Sequence, residues 1–213
     1  IIGYGEASLP PYRKETVKSV SEWIDKQKQI CLELLNGDIL KHLNDIPFSK
    51  ENPAASNALQ TAMLNYELKR QGKKISDLIP PKNHSPHLTL TLTKNDFNFL
   101  AEKFRLAKNF SHLKIKLTGA DDDFEFTSAL RLKTKMPFCI DINQGYIKKE
   151  KAIQLIEKLE SLNCILIEQP LKDNDHDGHY WLKQRTNLPI IADESICFYE
   201  DLVQFHEAYS GVN

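Results

Sequence analysis

Cysteine is scarce in this sequence, and the few cysteines are not spaced like a structural site. Four are scattered through 213 residues, with neither a C-x-x-C pair nor the Cys/His spacing of a zinc site: Cys31, Cys139, Cys164 and Cys197. A chain of this size does not need a disulfide framework in order to fold. The pattern therefore argues against a disulfide-rich secreted protein and a structural zinc domain, and it favours the reducing cytoplasm.

The sequence also lacks an excess of charge of one sign and any long hydrophobic run. It carries 28 Lys and Arg against 29 Asp and Glu, a formal net charge of −1. Its longest apolar runs, such as 165–167 and 189–192, are far shorter than the roughly 18 residues of a membrane span. With 41% hydrophobic and 27% charged residues, the chain is expected to fold around a core. Neither nucleic acid nor a membrane is therefore the expected partner.

Neither a methionine nor a signal peptide opens the sequence. It begins at Ile1, without the basic start or the cleavage site of a secretory signal. The segment Ile1–Gly5 has the pattern of a strand. We therefore predict a strand there and expect the natural N-terminus to lie further upstream.

The first third of the chain has a helical pattern. Apolar residues recur at mostly three- and four-residue steps after Ser21, and a second helix is predicted from Pro53 to Gly72, because proline is tolerated in a first helical turn. The proline-rich segment 80–86 then interrupts any regular element. A boundary is expected there, which divides the chain into residues 1–84 and 85–213.

From Leu88 onward, short apolar strands alternate with amphipathic helices. Strands are predicted at 88–93, 113–117, 138–141, 164–168 and 189–193. Equivalent strand ends, counted from residue 116, are spaced by 25, 27 and 25 residues. Regular β/α units of this kind form a parallel sheet covered by helices, and the even spacing favours a closed barrel.

The length limits that prediction. Residues 88–213 amount to about five β/α units, whereas a closed barrel has eight units and roughly 250 residues. Gly211–Asn213 looks like the beginning of a further strand. The predicted fold class is therefore α/β, with an incomplete TIM-like (β/α) barrel of about five units. An open, doubly wound sheet of five strands is the alternative.

Three consecutive predicted strands end in a carboxylate: Asp141, Glu168 and Asp193. The carboxyl ends of parallel strands carry the active site in β/α folds, so these acids are expected to converge. Converging anions repel one another unless a cation lies between them, and oxygen-only ligation is typical of Mg²⁺. The acids therefore predict a divalent metal site. The alternative is that each acid caps the helix that follows it.

Two lysines precede the acids on the neighbouring strand. Side chains alternate along a strand, so Lys114 and Lys116 share one face and their apolar neighbours take the other. If the apolar face meets the helices, the lysines point into the barrel, where a buried lysine with a lowered pKa can act as a base. A base beside a metal predicts removal of a proton alpha to a carboxylate. The alternative is an edge strand with solvated lysines.

Four motifs occur in order with barrel spacing: Lys114-Ile115-Lys116, Asp141-Ile142-Asn143-Gln144-Gly145, Ile167-Glu168-Gln169-Pro170 and Asp193-Glu194-Ser195. This order resembles the enolase superfamily of mandelate racemase and muconate-lactonizing enzymes, specifically the muconate-lactonizing branch, which includes dipeptide epimerases. The resemblance implies a partial α+β capping domain at residues 1–84 and a partial barrel at residues 85–213. It also implies Mg²⁺ on Asp141, Glu168 and Asp193, with Lys116 as the acid/base and Lys114 assisting through its charge.

The resemblance further implies an isomerase that acts on a small-molecule carboxylate. Gln144-Gly145 and Gln169-Pro170 are similar to dipeptide epimerases of L-Ala-Glu-type substrates, which favours epimerisation of a dipeptide through an enediolate. o-Succinylbenzoate synthase, N-succinylamino acid racemase and muconate cycloisomerase activities remain alternatives, as does a non-catalytic truncated homologue. We expect the complete protein to form a homo-oligomer, and residues 1–213 alone to be inactive and poorly soluble.

The same resemblance implies a second catalytic lysine at the end of the sixth barrel strand, beyond Asn213. Glu194 and Ser195 are expected to support Asp193, and the alternative is that they cap the next helix. Four further residues could approach the substrate but carry no assigned role: Tyr12, Arg13, His84 and His87.

Overall fold

The computed structural model describes residues 1–10, 14–81, 88–106 and 109–213. The chain divides into two compact units, Ile1–His84 and Ser85–Asn213. Much of the proline-rich segment lies outside the described ranges, and so do the four residues left without an assigned role: Tyr12, Arg13, His84 and His87.

Two long helices form most of the first unit. Helix α1 spans Val17–Leu35, α2 spans Pro53–Arg70, and a single turn, α3, follows at Ile75–Leu78. The start of α1 is fixed by Thr16, whose Oγ1 accepts the N–H of Ser19 while Ser19 Oγ accepts the N–H of Thr16. Helix α2 begins at the predicted proline, whose missing N–H is not needed in a first turn. A small core joins these elements around Ile39, Ile46 and Met63.

The strand predicted at Ile1–Gly5 does not form. The N–H of Tyr4 donates to Oδ1 of Asn65 at 3.1 Å. Gly3 lies so close to α2 that an added Cβ atom would be 2.1 Å from the carbonyl oxygen of Ala62. A strand is defined by hydrogen bonds to a neighbouring strand, and no residue of the described chain pairs with this segment in that way. Contact with a helix, rather than strand geometry, explains the glycine.

The second unit contains a sheet of six parallel strands among the described residues. They are β1 (Thr89–Leu92), β2 (His112–Lys116), β3 (Phe138–Asp141), β4 (Cys164–Glu168), β5 (Ile190–Ala192) and β6 (Gly211–Val212). Each strand pairs with the next one along the chain, in the order β1-β2-β3-β4-β5-β6. A doubly wound sheet reverses its strand order at a switch point, so that alternative is wrong. The sequential order is that of a β/α barrel, and the predicted fold class is confirmed.

Helices follow the strands and cover the sheet. They are α4 (Leu100–Leu106), α5 (Asp123–Arg131), α6 (Lys149–Glu160), α7 (His176–Lys183) and α8 (Tyr199–Phe205). The core between sheet and helices includes Ile115 and Ile140 from the strands and Ile156 from α6, all with no exposed surface. Burial of such a side chain contributes about 1.5–3 kcal/mol relative to leaving it exposed. This core holds the carboxyl ends of the strands in place.

All four cysteines lie in the described ranges, and each is a free thiol. Burial raises the pKa of Cys139 to about 11 and that of Cys164 to about 12. Among the described residues, no helix has both the length and the apolar composition that crossing a bilayer requires.

Candidate active site

Strand β2 carries the two predicted lysines and lies inside the sheet, between β1 and β3. The solvated edge strand is therefore excluded. Leu113 and Ile115 are fully buried in the core. Lys114 and Lys116 take the alternate positions, with 19% and 44% of their side chains exposed. The face that bears the lysines is thus the face opposite the helix-covered core.

Two of the three predicted acids lie side by side. Asp141 ends β3, Glu168 ends β4, and the two residues are partners in the strand register. Both are buried, with 1% and 4% of their surface exposed. The following helices begin six to eight residues after the three acids, so the alternative that these acids cap helices is wrong.

Lys114 joins the two buried acids. Its Nζ atom lies 2.7 Å from Oε2 of Glu168, 2.8 Å from Oε1 of the same carboxylate and 3.1 Å from Oδ2 of Asp141. Burial lowers the pKa of Lys114, but hydrogen bonds and attraction from Glu168 and Asp141 outweigh burial and raise it above its usual value. With both carboxylates as its partners, Lys114 carries a positive charge.

Glu168 shows the opposite balance. Burial raises the pKa of its carboxyl group, Lys114 opposes this, and repulsion from Asp141 and Asp193 adds to the increase. The net effect is a raised pKa. The carboxylate of Glu168 therefore gains from any additional positive charge placed beside it.

Lys116 is held beside Asp141 by a residue that the sequence analysis did not single out. Its Nζ lies 3.4 Å from Oδ2 of Asp141 and donates to Oδ1 of Asn143 at 3.1 Å. Asn143 has a left-handed backbone with φ of 45°, and its N–H donates to Oδ1 of Asp141 at 3.1 Å. An asparagine two residues after a strand-ending acid is suited to this turn, which was the available signal.

Asp193 follows β5 and is only half-buried. Its backbone N–H donates to Oε1 of Gln169 at 2.9 Å. In the described part of the chain, no three His, Cys, Asp or Glu side chains are grouped closely enough to hold a metal ion together. The structure thus brings Asp141 and Glu168 together with both lysines and leaves the Asp193 carboxylate outside that cluster.

Two further features mark the same edge of the sheet. The side-chain amide of Asn213 donates to Oε1 of Glu168 at 2.9 Å, a contact that no sequence pattern predicts. Gln144 and Gln169 have φ values of 63° and 40°. A left-handed backbone at residues other than glycine costs about 1–3 kcal/mol and is concentrated at functional sites. The strain lies directly after the strands that carry Asp141 and Glu168.

A cavity of about 460 Å³ opens beside Lys116 at the ends of β1, β2 and β3. It is lined by Thr93, Lys94, Asn95, Lys116, Leu117, Thr118, Ile142 and Asn143. The ammonium group of Lys94 is bound to Asp122 and Asp123 at 2.5 and 2.7 Å. Lys116, whose side chain is nearly half exposed, is thus the cation of this wall that stands next to the acid pair.

Comparison with known proteins identifies relatives of this chain. The chain is 33% identical over its full length to the L-Ala-D/L-Glu epimerase of Bacteroides thetaiotaomicron, and it covers 56% of that protein. It is 25% identical over 94% of its length to an o-succinylbenzoate synthase of Geobacillus kaustophilus, and it covers 55% of that protein. The chain therefore spans little more than half the length of these curated relatives.

Solved structures agree in fold. The chain matches a muconate lactonizing enzyme from Pseudomonas putida with a TM-score of 0.80 at 24% identity, over 99% of this chain and 63% of that one. It matches a dipeptide epimerase from Enterococcus faecalis with a TM-score of 0.81 at 24% identity, over 100% and 64%. Residues 97–210, more than half of the chain, match the family model described as enolase C-terminal domain-like. The chain therefore belongs to the enolase superfamily.

Proposed function

We propose that the protein carrying this chain is an isomerase that removes the proton alpha to a substrate carboxylate and forms an enediolate. The observation that carries the proposal is the set of contacts between Lys114, Lys116, Asp141 and Glu168 at the ends of three adjacent parallel strands. Relatives at 33% and 28% identity are named as epimerases, which supports the same reaction class.

The acids suit Mg²⁺ in their chemistry, and members of this family generally use that ion. Asp141 and Glu168 offer only oxygen atoms and already hold an ammonium group between them, so the pair is a site for positive charge. We propose that these two residues and Asp193 bind Mg²⁺, which requires the Asp193 carboxylate to join the pair. The bound ion would neutralise the charge that develops on the substrate carboxylate.

The two lysines have different roles in this proposal. Lys116 is half exposed beside an open cavity, so its ammonium or amine group can reach a substrate and exchange a proton with the alpha carbon. Asn143 orients that group through its Oδ1 atom. Lys114 forms salt bridges with two carboxylates and contributes a fixed positive charge.

A dipeptide is the proposed substrate, and the alpha carbon of its C-terminal residue is the reacting atom. The support is the set of relatives named L-Ala-D/L-Glu epimerase or L-Ala-D/L-amino acid epimerase, which align with nearly the whole chain. The similarity to o-succinylbenzoate synthases favours a second candidate, in which the same base starts a syn-elimination.

We also propose that unit Ile1–His84 is part of a capping domain and that unit Ser85–Asn213 is part of a barrel. The helices α1 and α2 and the sequential parallel sheet support these assignments. A cytoplasmic location and a homo-oligomeric assembly remain predictions.

Deuterium exchange tests the function. The full-length protein is incubated with Mg²⁺ and L-Ala-L-Glu in heavy water, and the alpha position of the glutamate residue is followed by NMR. Epimerisation predicts deuterium at that carbon together with the L,D isomer. Formation of o-succinylbenzoate from its cyclohexadiene precursor, without exchange into dipeptides, would support the second candidate. If neither reaction occurs, the remaining explanations are N-succinylamino acid racemase activity, muconate cycloisomerase activity and a non-catalytic homologue.

A further inference from the structure

Gln169 is a buried polar residue that the proposed chemistry does not use. It follows Glu168 directly, has no exposed surface and adopts a left-handed backbone with φ of 40°. Burial of an amide without hydrogen bonds is unfavourable. The hydrogen bonds of the Gln169 side chain therefore indicate its role.

The amide oxygen of Gln169 connects two strand ends. Oε1 accepts the N–H of Asp193 at 2.9 Å and the N–H of Ser195 at 3.2 Å. The first contact involves the backbone of the third proposed metal ligand, and Gln169 itself is bonded in sequence to the second ligand, Glu168. One side chain therefore links the backbones of two acids that lie on neighbouring strands.

The amide nitrogen of Gln169 contacts a different set of groups. Nε2 donates to Oγ of Ser195 at 2.7 Å and to the carbonyl oxygen of Leu171 at 3.1 Å, and it lies 3.3 Å from Nε2 of His179. Nδ1 of His179 lies 2.7 Å from the carbonyl oxygen of Asp175, so it carries the proton and leaves Nε2 as an acceptor. Burial lowers the pKa of His179 to about 4, which keeps the ring neutral.

These contacts fix which way the amide points. If the oxygen and nitrogen of Gln169 were exchanged, an NH₂ group would face the two N–H donors of Asp193 and Ser195. The oxygen would then face the carbonyl of Leu171 and the acceptor nitrogen of His179. The network therefore allows one orientation, and that orientation holds the backbone of Asp193.

We infer that Gln169 is a positioning residue, which fixes the backbone of Asp193 relative to Glu168 so that the third acid can join the Mg²⁺ site. The inference rests on the proposed metal site. Gln169 does not contact substrate or metal in this role; it limits the freedom of a ligand that is otherwise only half-buried.

Calorimetric titration of the full-length protein with MgCl₂ alone tests this inference. Gln169→Leu leaves a side chain of broadly similar size and removes every side-chain hydrogen bond, and the Mg²⁺ dissociation constant is expected to rise about 10- to 100-fold. Ser195→Ala removes one partner of the amide and is expected to raise it about fivefold. Thr186→Val is the matched control, because it removes the hydroxyl that binds Glu160 without a contact to Gln169 or Asp193.

The control separates positioning from general stability. Thermal unfolding is measured for each variant, and Thr186→Val should lose stability while its Mg²⁺ affinity stays at the wild-type value. Wild-type affinity in folded Gln169→Leu, or in Ser195→Ala if the first variant does not fold, would overturn the inference and leave the proposed function standing. A wild-type protein that binds no Mg²⁺ would overturn both.

Discussion

The ammonium group of Lys114 lies 2.7 Å from Oε2 of Glu168, although the two residues belong to β2 and β4 and a whole strand separates them. Two strands of a sheet with one strand between them lie roughly 9.5 Å apart. Only a long side chain on the face opposite the helices can cross that distance, and it passes Asp141 of β3 on the way. The positive charge of Lys114 on β2 therefore lies next to the acids of β3 and β4.

Replacement of Lys116 by alanine should strongly slow proton exchange and preserve metal binding. General acid–base catalysis by a positioned side chain contributes about 10²- to 10⁴-fold, so exchange into L-Ala-L-Glu should fall by that factor. The measurement is the NMR exchange rate of the full-length protein at saturating Mg²⁺. Lys133→Ala, on an exposed residue after α5, is the control and should exchange at the wild-type rate. Unchanged exchange in Lys116→Ala would remove this residue from the mechanism.

Replacement of Glu168 by glutamine should weaken Mg²⁺ binding by at least about tenfold, because it removes a proposed ligand and half of the buried acid pair. Titration calorimetry measures the change. Glu160→Gln is the matched control, since Glu160 ends α6 and binds Thr186 and the N–H of Asn187 rather than the lysines. An equal loss in both variants would argue against a metal site at Glu168.

Alanine substitutions at two glycines distinguish the cost of a left-handed backbone from the cost of steric overlap. Gly119 has φ of 78°, and an added Cβ atom would lie 2.5 Å from the carbonyl oxygen of Gly145, whereas Gly72 has φ of 65° and no atom within 4 Å of that position. Gly72→Ala should cost about 1–2 kcal/mol from left-handed backbone alone. Gly119→Ala should cost more, because the turns after β2 and β3 must also move apart. Urea unfolding of the two variants gives both values, and equal losses would show that the turns can separate freely.

The stability of the fold should depend on pH through His179. Burial lowers the pKa of this histidine from 6.5 to about 4 in the folded protein. Between these values the unfolded chain binds a proton that the folded protein does not, so the free energy of unfolding falls as the pH drops from 6.5 towards 4. The loss attributable to His179 is about 3 kcal/mol at most. At pH values well above 6.5, His179 causes no such loss of stability.

Chemical denaturation at several pH values measures this dependence. His179→Gln should be less stable at neutral pH but show a shallower decline between pH 6.5 and 4. His206→Gln, at an exposed histidine after α8, is the control and should follow the wild-type slope. A wild-type slope in His179→Gln would assign the acid sensitivity to other groups.

Much of the second unit could be predicted from sequence, because its strands are short apolar runs that stop at a charged residue. Phe138–Asp141 and Cys164–Glu168 form strands with the predicted bounds. The strand predicted at Ile1–Gly5 was wrong, because composition shows that a segment can be extended but not whether a neighbouring strand is there to pair with it.

The contacts within the site were harder to predict than its residues. Asn143 and Gln169 stand inside quoted motifs, yet their partners Lys116 and Asp193 are 27 and 24 residues away along the chain. Whether the pKa of Lys114 is raised or lowered depends on how the effect of burial compares with the attraction from two acids on other strands. Such balances are set by tertiary distances, which residue types and spacing do not encode.

The strictly sequential strand order has a consequence for how this unit acquires its structure. Register partners in the sheet are between 20 and 27 residues apart, from Ile191 with Gly211 to Asp141 with Glu168. Closing loops of that size costs less chain entropy than closing longer ones, so each strand can dock onto its predecessor once both exist. The cluster of lysines and acids carried by β2, β3 and β4 can therefore assemble progressively, in the order of synthesis, without waiting for distant segments.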